Sequence, residues 1–254
     1  MKIETSFIRS AASASDLPRE GFAEIAFVGR SNVGKSSLIN ALVRQRVART
    51  SAAPGKTRLA NVYRVNRGAA PPFHLVDLPG YGYARGGDDS ARVFEELART
   101  YFGLDRPERQ EGLEGNFRPG LPASPADPGR PSVRVSALLL VDARHPGLDS
   151  DIEAWKWLRH TVARCAMVAT KIDKLARGER IRALRQLESV FEHPVLPCSA
   201  ETGEGMEELW KQIDRQLNNP PTSPRSRARS LPPKQTAPHR PTRRSKSSES
   251  TSRR

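Results

Sequence analysis

The segment that most restricts the fold of this chain is Gly29–Ser36, whose sequence GRSNVGKS matches the pattern G-x-x-x-x-G-K-[ST]. An apolar run, Glu24–Gly29, precedes it, and a run of helix-forming composition, Lys35–Arg44, follows it. Between a strand and a helix, such glycines let successive backbone N–H groups turn inward around phosphates, and the helix dipole adds positive potential. The pattern predicts a phosphate-binding loop within an α/β sheet.

The residues of this loop have separate predicted roles. We expect Lys35 to reach the β- and γ-phosphates of a nucleotide and the Ser36 hydroxyl to bind Mg²⁺. The predicted phosphate contacts are Gly29, Arg30, Ser31, Asn32, Val33, Gly34, Lys35, Ser36 and Ser37. An ordinary glycine-rich turn is the alternative. The loop by itself does not distinguish ATP from GTP, because both carry the same phosphates.

Apolar runs alternate with helix-like segments along the rest of the chain, which predicts a doubly wound sheet with helices on both faces. The predicted strands are Glu24–Gly29, Asn61–Val65, Phe73–Leu78, Val133–Asp142, Ala163–Thr170 and Pro194–Cys198. The predicted helices are Lys35–Arg44, Asp88–Phe102, Asp149–Thr161, Leu175–Phe191 and Gly205–Leu217. Residues 66–72 leave no room for a crossover helix, so the flanking strands should pair antiparallel at an edge. We predict the three-layer fold of P-loop NTPases, mostly parallel with one antiparallel edge strand.

Changes in composition divide the chain into a nucleotide-binding domain at residues 21–217 with appendages. Residues 1–20 are expected to form an N-terminal extension, and residues 106–132 a proline- and glycine-rich insertion. Residues 218–254 hold ten Lys/Arg and one acid, which is +9 of the net charge of +14. This stretch has too little apolar surface to form a core, so we predict a disordered basic tail.

Composition also bears on the expected location of the chain. No run approaches the roughly 20 apolar residues that cross a bilayer, so no membrane span is predicted. The N-terminus lacks the apolar run of a secretory signal. Cys165 and Cys198 lie in apolar contexts without a paired-cysteine motif, which fits a reducing environment. We expect a cytoplasmic protein.

A second motif, Asp77-Leu78-Pro79-Gly80, follows an apolar strand. We expect Asp77 to hold Mg²⁺ and the Gly80 N–H to contact the γ-phosphate, although D-x-P-G is also a common turn. Thr57, in an earlier loop, is the candidate for a further Mg²⁺ ligand that closes on the γ-phosphate. The predicted metal ligands are Ser36, Thr57 and Asp77; the predicted catalytic groups are Lys35, Thr57 and Gly80; and the further nucleotide contacts are Gly55, Lys56, Leu78 and Pro79.

A third motif, Thr170-Lys171-Ile172-Asp173, ends the apolar run CAMVAT. The Asp173 carboxylate can accept hydrogen bonds from guanine N1–H and N2–H₂, a pair that adenine does not offer. The alternative is that Asp173 caps a helix. The Lys171 stem is expected to pack over the base, and Ser199 and Ala200, after the last strand, to face guanine O6. Because all these motifs follow strands, where open α/β sheets bind ligands, we predict GTP and GDP as ligands.

Several segments resemble the EngB-type (YsxC/YihA-type) GTP-binding proteins of ribosome biogenesis, within the Era-like group. They are GRSNVGKSSLIN, ARTSAAPGKTR, LVDLPGYGYA, LLVDARH and TKIDKL, and the resemblance covers roughly residues 5–217. It implies one monomeric GTPase domain that associates with the large ribosomal subunit during assembly, and a link to cell division and septation. The segment 106–132 and the basic tail depart from the family pattern.

Two positions suggest how such a GTPase would work. Tyr81 stands where Ras-like enzymes place the glutamine that orients the attacking water, so we predict slow intrinsic hydrolysis. Asn32 is similar to an asparagine with which related GTPases bind K⁺. K⁺ is therefore a candidate cofactor, and an ordinary loop asparagine is the alternative.

The basic residues suggest a polyanionic partner. Residues 44–67 contain seven Lys/Arg and no acid, and with the tail they favour rRNA. A solubilising extension is the alternative explanation for the tail. The main interpretation is a GTPase switch in ribosome assembly, and the rivals are a signalling GTPase with a protein effector and a P-loop kinase or ATPase.

Overall fold

The computed structural model describes residues 2–13, 16–18, 20–49, 59–81, 97–99, 101–102 and 134–218, all within the unit Met1–Pro221. Seven strands form one sheet in the order β1-β3-β4-β2-β5-β6-β7. The strands are β1 Ile3–Ala11, β2 Ala23–Gly29, β3 Ala60–Arg67, β4 Phe73–Asp77, β5 Val135–Asp142, β6 Cys165–Thr170 and β7 Val195–Pro197.

Strand directions follow from the lengths of the connections. β4, β2, β5, β6 and β7 pair in parallel, and each of their connections is long enough for a crossover. Only residues 68–72 connect β3 to β4, and these strands pair antiparallel. β3 is thus the strand that runs against the others, and the predicted mostly parallel α/β fold is confirmed.

The sheet begins with a strand that the sequence analysis did not predict. β1 pairs antiparallel with β3, from Ile3 opposite Arg67 to Ala11 opposite Ala60. The sequence analysis identified no strand before Glu24, and β1 rather than β3 forms the edge of the sheet. The reason is that IETSFIRSA has no apolar run: it is a mostly exposed edge strand whose pairing partner supplies its order.

Among the described residues, four α-helices with both ends described lie on the two faces of the sheet: α1 Lys35–Val43, α2 Asp149–Thr161, α3 Arg177–Phe191 and α4 Met206–Asn218. Apolar side chains of α2 and α3, such as Leu158 and Leu187, pack on one face. Those of α1 and α4, such as Leu38 and Ile213, pack on the other face. The sheet is therefore the middle of three layers, and the alternation of outward side chains along the buried strands feeds both cores.

Some predicted features lie outside the described residues. Of the predicted helix Asp88–Phe102, residues 97–99 and Tyr101 are described and helical. The insertion at 106–132 and the tail beyond Asn218 are outside the described ranges. Within those ranges, no helix is both long enough and apolar enough to cross a membrane.

Candidate nucleotide-binding site

The phosphate loop connects the end of β2 to the start of α1. The chain turns with positive φ angles at Asn32 (62°) and Gly34 (106°). At Gly29 the backbone lies so close to β5 that an added Cβ would be 2.8 Å from the carbonyl oxygen of Leu140. Glycine at positions 29 and 34 therefore permits the tight turn that the motif predicts.

Lys35 spans this loop from within. Its side chain is buried, and its Nζ donates hydrogen bonds to the carbonyl oxygens of Gly29 (2.9 Å) and Arg30 (3.2 Å). Burial lowers the pKa of Lys35, and the nearby charge of Asp77 opposes this shift. An ammonium group held with little solvent, with Asp77 the acid that acts on it among the described residues, is electrostatically suited to an anionic ligand such as a polyphosphate.

Ser36 and Asp77 meet beside Lys35. The Ser36 hydroxyl donates to Asp77 Oδ2 at 2.7 Å. Asp77 is 1% exposed, and its Oδ1 accepts no hydrogen bond from any described residue. Burial raises the pKa of this carboxyl, while Lys35 and Ser36 oppose the shift. A hydroxyl beside a carboxylate with a spare oxygen fits Mg²⁺, which commonly binds one or two carboxylates together with substrate phosphates.

Some of the other residues that were predicted to contact the phosphates or Mg²⁺ lie in the described part of the chain, and others lie outside it. Leu78 N–H donates to the carbonyl of Phe27 at 3.2 Å, which continues β4 beyond Asp77 toward Pro79 and Gly80. The predicted residues Gly55, Lys56 and Thr57 lie outside the described ranges. Their roles remain predictions.

Gly80 lies directly against the phosphate loop. The Ser31 N–H donates to the carbonyl oxygen of Tyr81 at 3.2 Å. A Cβ on Gly80 would lie 2.5 Å from the Ser31 nitrogen, so only glycine fits without a backbone shift. The segment that was predicted to sense the γ-phosphate is thus packed on the loop that was predicted to bind the phosphates.

β6 brings the third motif to the same loop. The Thr170 hydroxyl donates to the carbonyl of Val33 at 2.7 Å. Lys171, with φ 60°, extends its Nζ to the carbonyl of Asn32 and to Asp142 Oδ2. The lysine that was predicted to pack over the base therefore crosses the phosphate loop and links it to the end of β5.

Asp142 is a candidate site residue that the sequence analysis did not name. It lies at the carboxyl end of β5 and accepts hydrogen bonds from Arg144 (Nε 2.9 Å) and from Lys171 (Nζ 3.0 Å). Burial alone would raise the pKa of Asp142, but these cations lower it to about 2. The motif LLVDARH could have identified it, because an acid that ends a central strand lies at the ligand edge of the sheet.

Asp173 is held as an ionised acceptor. The Ser199 hydroxyl donates to Asp173 Oδ1 at 2.7 Å, and the Nζ of Lys174 lies 3.1 Å from Oδ2. The Ser199 bond and the Lys174 ammonium lower the pKa of Asp173. The helix-cap alternative is wrong for α3, because α3 begins at Arg177 and its N-cap is Ala176.

The loop that contains Ser199 and Ala200 is fixed from within. Ser199 Oγ accepts the backbone N–H groups of Glu201 (3.2 Å) and Thr202 (3.1 Å) while it donates to Asp173. At Gly205, with φ +79°, a Cβ would lie 2.1 Å from the carbonyl oxygen of Pro197. The loop before α4 is therefore locked beside Asp173, and this is the juxtaposition that a guanine pocket requires.

Comparisons with known proteins agree with this geometry. The family described as "50S ribosome-binding GTPase" matches residues 24–114. The probable GTP-binding protein EngB of Pelotomaculum thermopropionicum is 38% identical over 221 residues, which cover 85% of this chain and 96% of that protein. The chain belongs to the EngB family of GTP-binding proteins. It is therefore a P-loop GTPase.

Solved structures share the fold of this EngB-family chain. A crystal structure of a probable GTP-binding protein EngB has a TM-score of 0.51 at 22% identity and covers 77% of this chain and 98% of that one. A structure of Era with MgGDPNP and nucleotides 1506–1542 of 16S ribosomal RNA has a TM-score of 0.58 at 21% identity. It covers 80% of this chain and 59% of Era.

Proposed function

We propose that this EngB-family GTPase is a GTP-dependent switch that acts in assembly of the large ribosomal subunit. The observation that carries the nucleotide part is the placement of Lys35, the Ser36–Asp77 pair and Asp173 beyond the carboxyl ends of the parallel strands of one sheet. The order of these groups along the edge suits a triphosphate at one end and a guanine at the other. The family description supports the ribosomal part.

The phosphate half of the site would act by binding and orientation. Ser36 and Asp77 would hold Mg²⁺, with Thr57 proposed as a further ligand. When bound, Mg²⁺ neutralises charge on the β- and γ-phosphates. Lys35 contributes a buried cation, and Gly80 offers its backbone N–H to the γ-phosphate.

We propose that intrinsic hydrolysis is slow. The Tyr81 hydroxyl donates to Asp151 on α2 at 2.9 Å, and Tyr81 is 7% exposed. A side chain that is buried and engaged with α2 does not orient an attacking water in this conformation. The groups that remain for catalysis hold and polarise the phosphates, which suits a switch that a partner accelerates.

The arginines of residues 44–67 that the structure describes form two groups. Arg44, Arg46 and Arg49 are exposed at and after the end of α1. Arg67 instead pairs with Asp214 and lies over the ring of Trp210, and Arg64 lies over Phe22. We propose that the exposed arginines, together with Lys/Arg of the tail, contact rRNA phosphates, which makes binding dependent on salt. We place the protein in the cytoplasm, as a monomer.

Co-sedimentation with purified large ribosomal subunits tests this function. We expect the chain to sediment with these subunits when it carries a non-hydrolysable GTP analogue, and less when it carries GDP. Replacing Arg44, Arg46 and Arg49 together by alanine should weaken the association by about ten-fold or more and reduce its salt dependence. The matched control is alanine at Arg177, Arg182 and Arg185, three exposed arginines of α3.

The outcomes separate the proposed function from its rivals. Equal losses in both triple variants would mean that non-specific charge attraction explains the binding. Nucleotide binding without any association with the subunits would favour a signalling GTPase with a protein effector. Depletion of the protein in its host should cause large-subunit precursors to accumulate, and an unchanged ribosome profile would contradict the assembly role.

We also propose K⁺ as a cofactor bound through Asn32. The side chain of Asn32 is exposed at the mouth of the phosphate loop, and its backbone is fixed by the Lys171 bond to its carbonyl. We expect faster GTP turnover in K⁺ than in Na⁺ buffers with ribosomes present, and loss of this difference in Asn32→Ala. Equal turnover of the unaltered protein in both salts would contradict the proposal.

A further inference from the structure

A buried carboxylate on α2 joins two segments of the nucleotide site. Asp151 is 1% exposed. Its Oδ1 accepts one hydrogen bond from the Tyr81 hydroxyl at 2.9 Å and another from Arg30 Nε at 3.1 Å. Arg30 belongs to the phosphate loop and Tyr81 directly follows Gly80, so a single oxygen atom ties both segments to the helix. We call Arg30, Tyr81 and Asp151 the latch.

The groups of the latch act on one another's pKa values. Burial and the neighbouring Asp151 charge raise the pKa of Tyr81, so its hydroxyl stays a donor. Burial raises the pKa of Asp151 as well, while Arg30 and the Tyr81 hydroxyl oppose that shift. The carboxylate is thus stabilised by the same two groups that it positions.

The backbone around Tyr81 is held from the opposite side. Its carbonyl oxygen accepts the Ser31 N–H at 3.2 Å, and Arg30 and Tyr81 form a parallel β-bridge. Gly80 has no room for a Cβ next to Ser31. The segment is therefore fixed between α2, through the side chain of Tyr81, and the phosphate loop, through its main chain.

We propose that Tyr81 and Asp151 are positioning residues that hold the Gly80 backbone ready for the γ-phosphate before GTP binds. A segment that is already ordered loses less conformational entropy when it contacts its ligand. Since only GTP has the phosphate that Gly80 is proposed to contact, the latch strengthens GTP binding and leaves GDP binding largely unchanged. This inference rests on the proposed nucleotide function.

Tyr81→Phe and Asp151→Ala test the latch by calorimetry on the full chain with Mg²⁺. Tyr81→Phe should weaken binding of a non-hydrolysable GTP analogue about ten-fold, the effect of losing one hydrogen bond to a charged group. Asp151→Ala also removes the bond from Arg30 and should weaken this binding at least as much. GDP affinity should stay within about two-fold, which also shows that the variant is folded. The double variant should bind like Asp151→Ala alone, because the hydroxyl has no role without its acceptor.

Tyr101→Phe is the matched control. The Tyr101 hydroxyl is also buried and donates to a carboxylate, Glu24 Oε2, at 2.8 Å, but Glu24 lies at the opposite end of β2 from the phosphate loop. This change should leave the ratio of GTP-analogue to GDP affinity unaltered.

The remaining outcomes overturn the latch. An unchanged affinity ratio in Tyr81→Phe, equal losses for both nucleotides, or losses that multiply in the double variant would each contradict a positioning role. If the unaltered protein binds neither nucleotide, the proposed function itself fails. That result is distinguishable, because a failure of the latch alone leaves the affinities of the unaltered protein intact.

Discussion

Lys35→Ala is expected to lower the affinity for GTP and for GDP by about a hundred-fold or more. The ammonium group of Lys35 is buried. Among the described residues, Asp77 is the acid whose charge acts on the pKa of Lys35. A bound polyphosphate would supply the counter-charge that burial makes favourable. Alanine removes the ammonium group and leaves the carbonyl oxygens of Gly29 and Arg30 without the hydrogen bonds that Nζ donates.

Titration with a fluorescent guanine nucleotide in the presence of Mg²⁺ measures this effect. Lys211→Ala is the control, because Lys211 is exposed on α4 and pairs with Glu207 at 2.7 Å, far along the chain from the loop. That variant should bind nucleotide within about two-fold of the unaltered chain. If Lys35→Ala retained near-normal affinity while circular dichroism showed the same fold, the phosphate loop would not be the phosphate site.

The site residues that the sequence analysis identified share one property. Each lies at the end of an apolar strand or in the segment that directly follows it. Ser36, Asp77, Thr170 and Asp173 could be placed together from sequence because the carboxyl ends of parallel strands meet at one edge of a sheet. Because β4, β5 and β6 are buried, their sequences are nearly continuous apolar runs, and such runs can be recognised as strands from the sequence alone. For these four residues the structure adds the distances, whereas Asp142 was identified from the structure.

Other features depend on contacts that no local pattern encodes. β1 is ordered by pairing with β3, about fifty residues away in the chain, and its own sequence is polar. Asp151 lies within a helix, where an acid is ordinarily a solvated side chain, and it meets Tyr81 only through the packing of α2 on the sheet. In the sequence, Arg67 was one of the residues taken to form a basic surface. In the structure, it forms an ion pair with Asp214 and lies over the ring of Trp210.

The second large effect is expected in the recognition of the guanine base by Asp173. Asp173→Asn should weaken GTP binding by about a hundred-fold or more and strengthen binding of xanthosine triphosphate. A carboxylate accepts two hydrogen bonds from guanine, whereas an amide offers one acceptor and one donor group. Xanthine carries a carbonyl where guanine carries N2–H₂, so it matches the amide. A P-loop ATPase or kinase would show no such exchange of bases.

Ser199→Ala separates the identity of the acceptor from its orientation. The Ser199 hydroxyl donates to Asp173 Oδ1 at 2.7 Å, and this hydrogen bond is the largest cause of the lowered pKa of that carboxyl. A pKa that is lowered from an already acidic value leaves Asp173 ionised throughout neutral pH, with or without Ser199. Ser199→Ala should therefore weaken guanine binding by about ten-fold and leave xanthine disfavoured.

The amide oxygen that Asp173→Asn introduces can still accept a hydrogen bond from the Ser199 hydroxyl, so the loop stays anchored in that variant. A loss of GTP binding there without any gain for xanthine would therefore contradict a base-reading carboxylate.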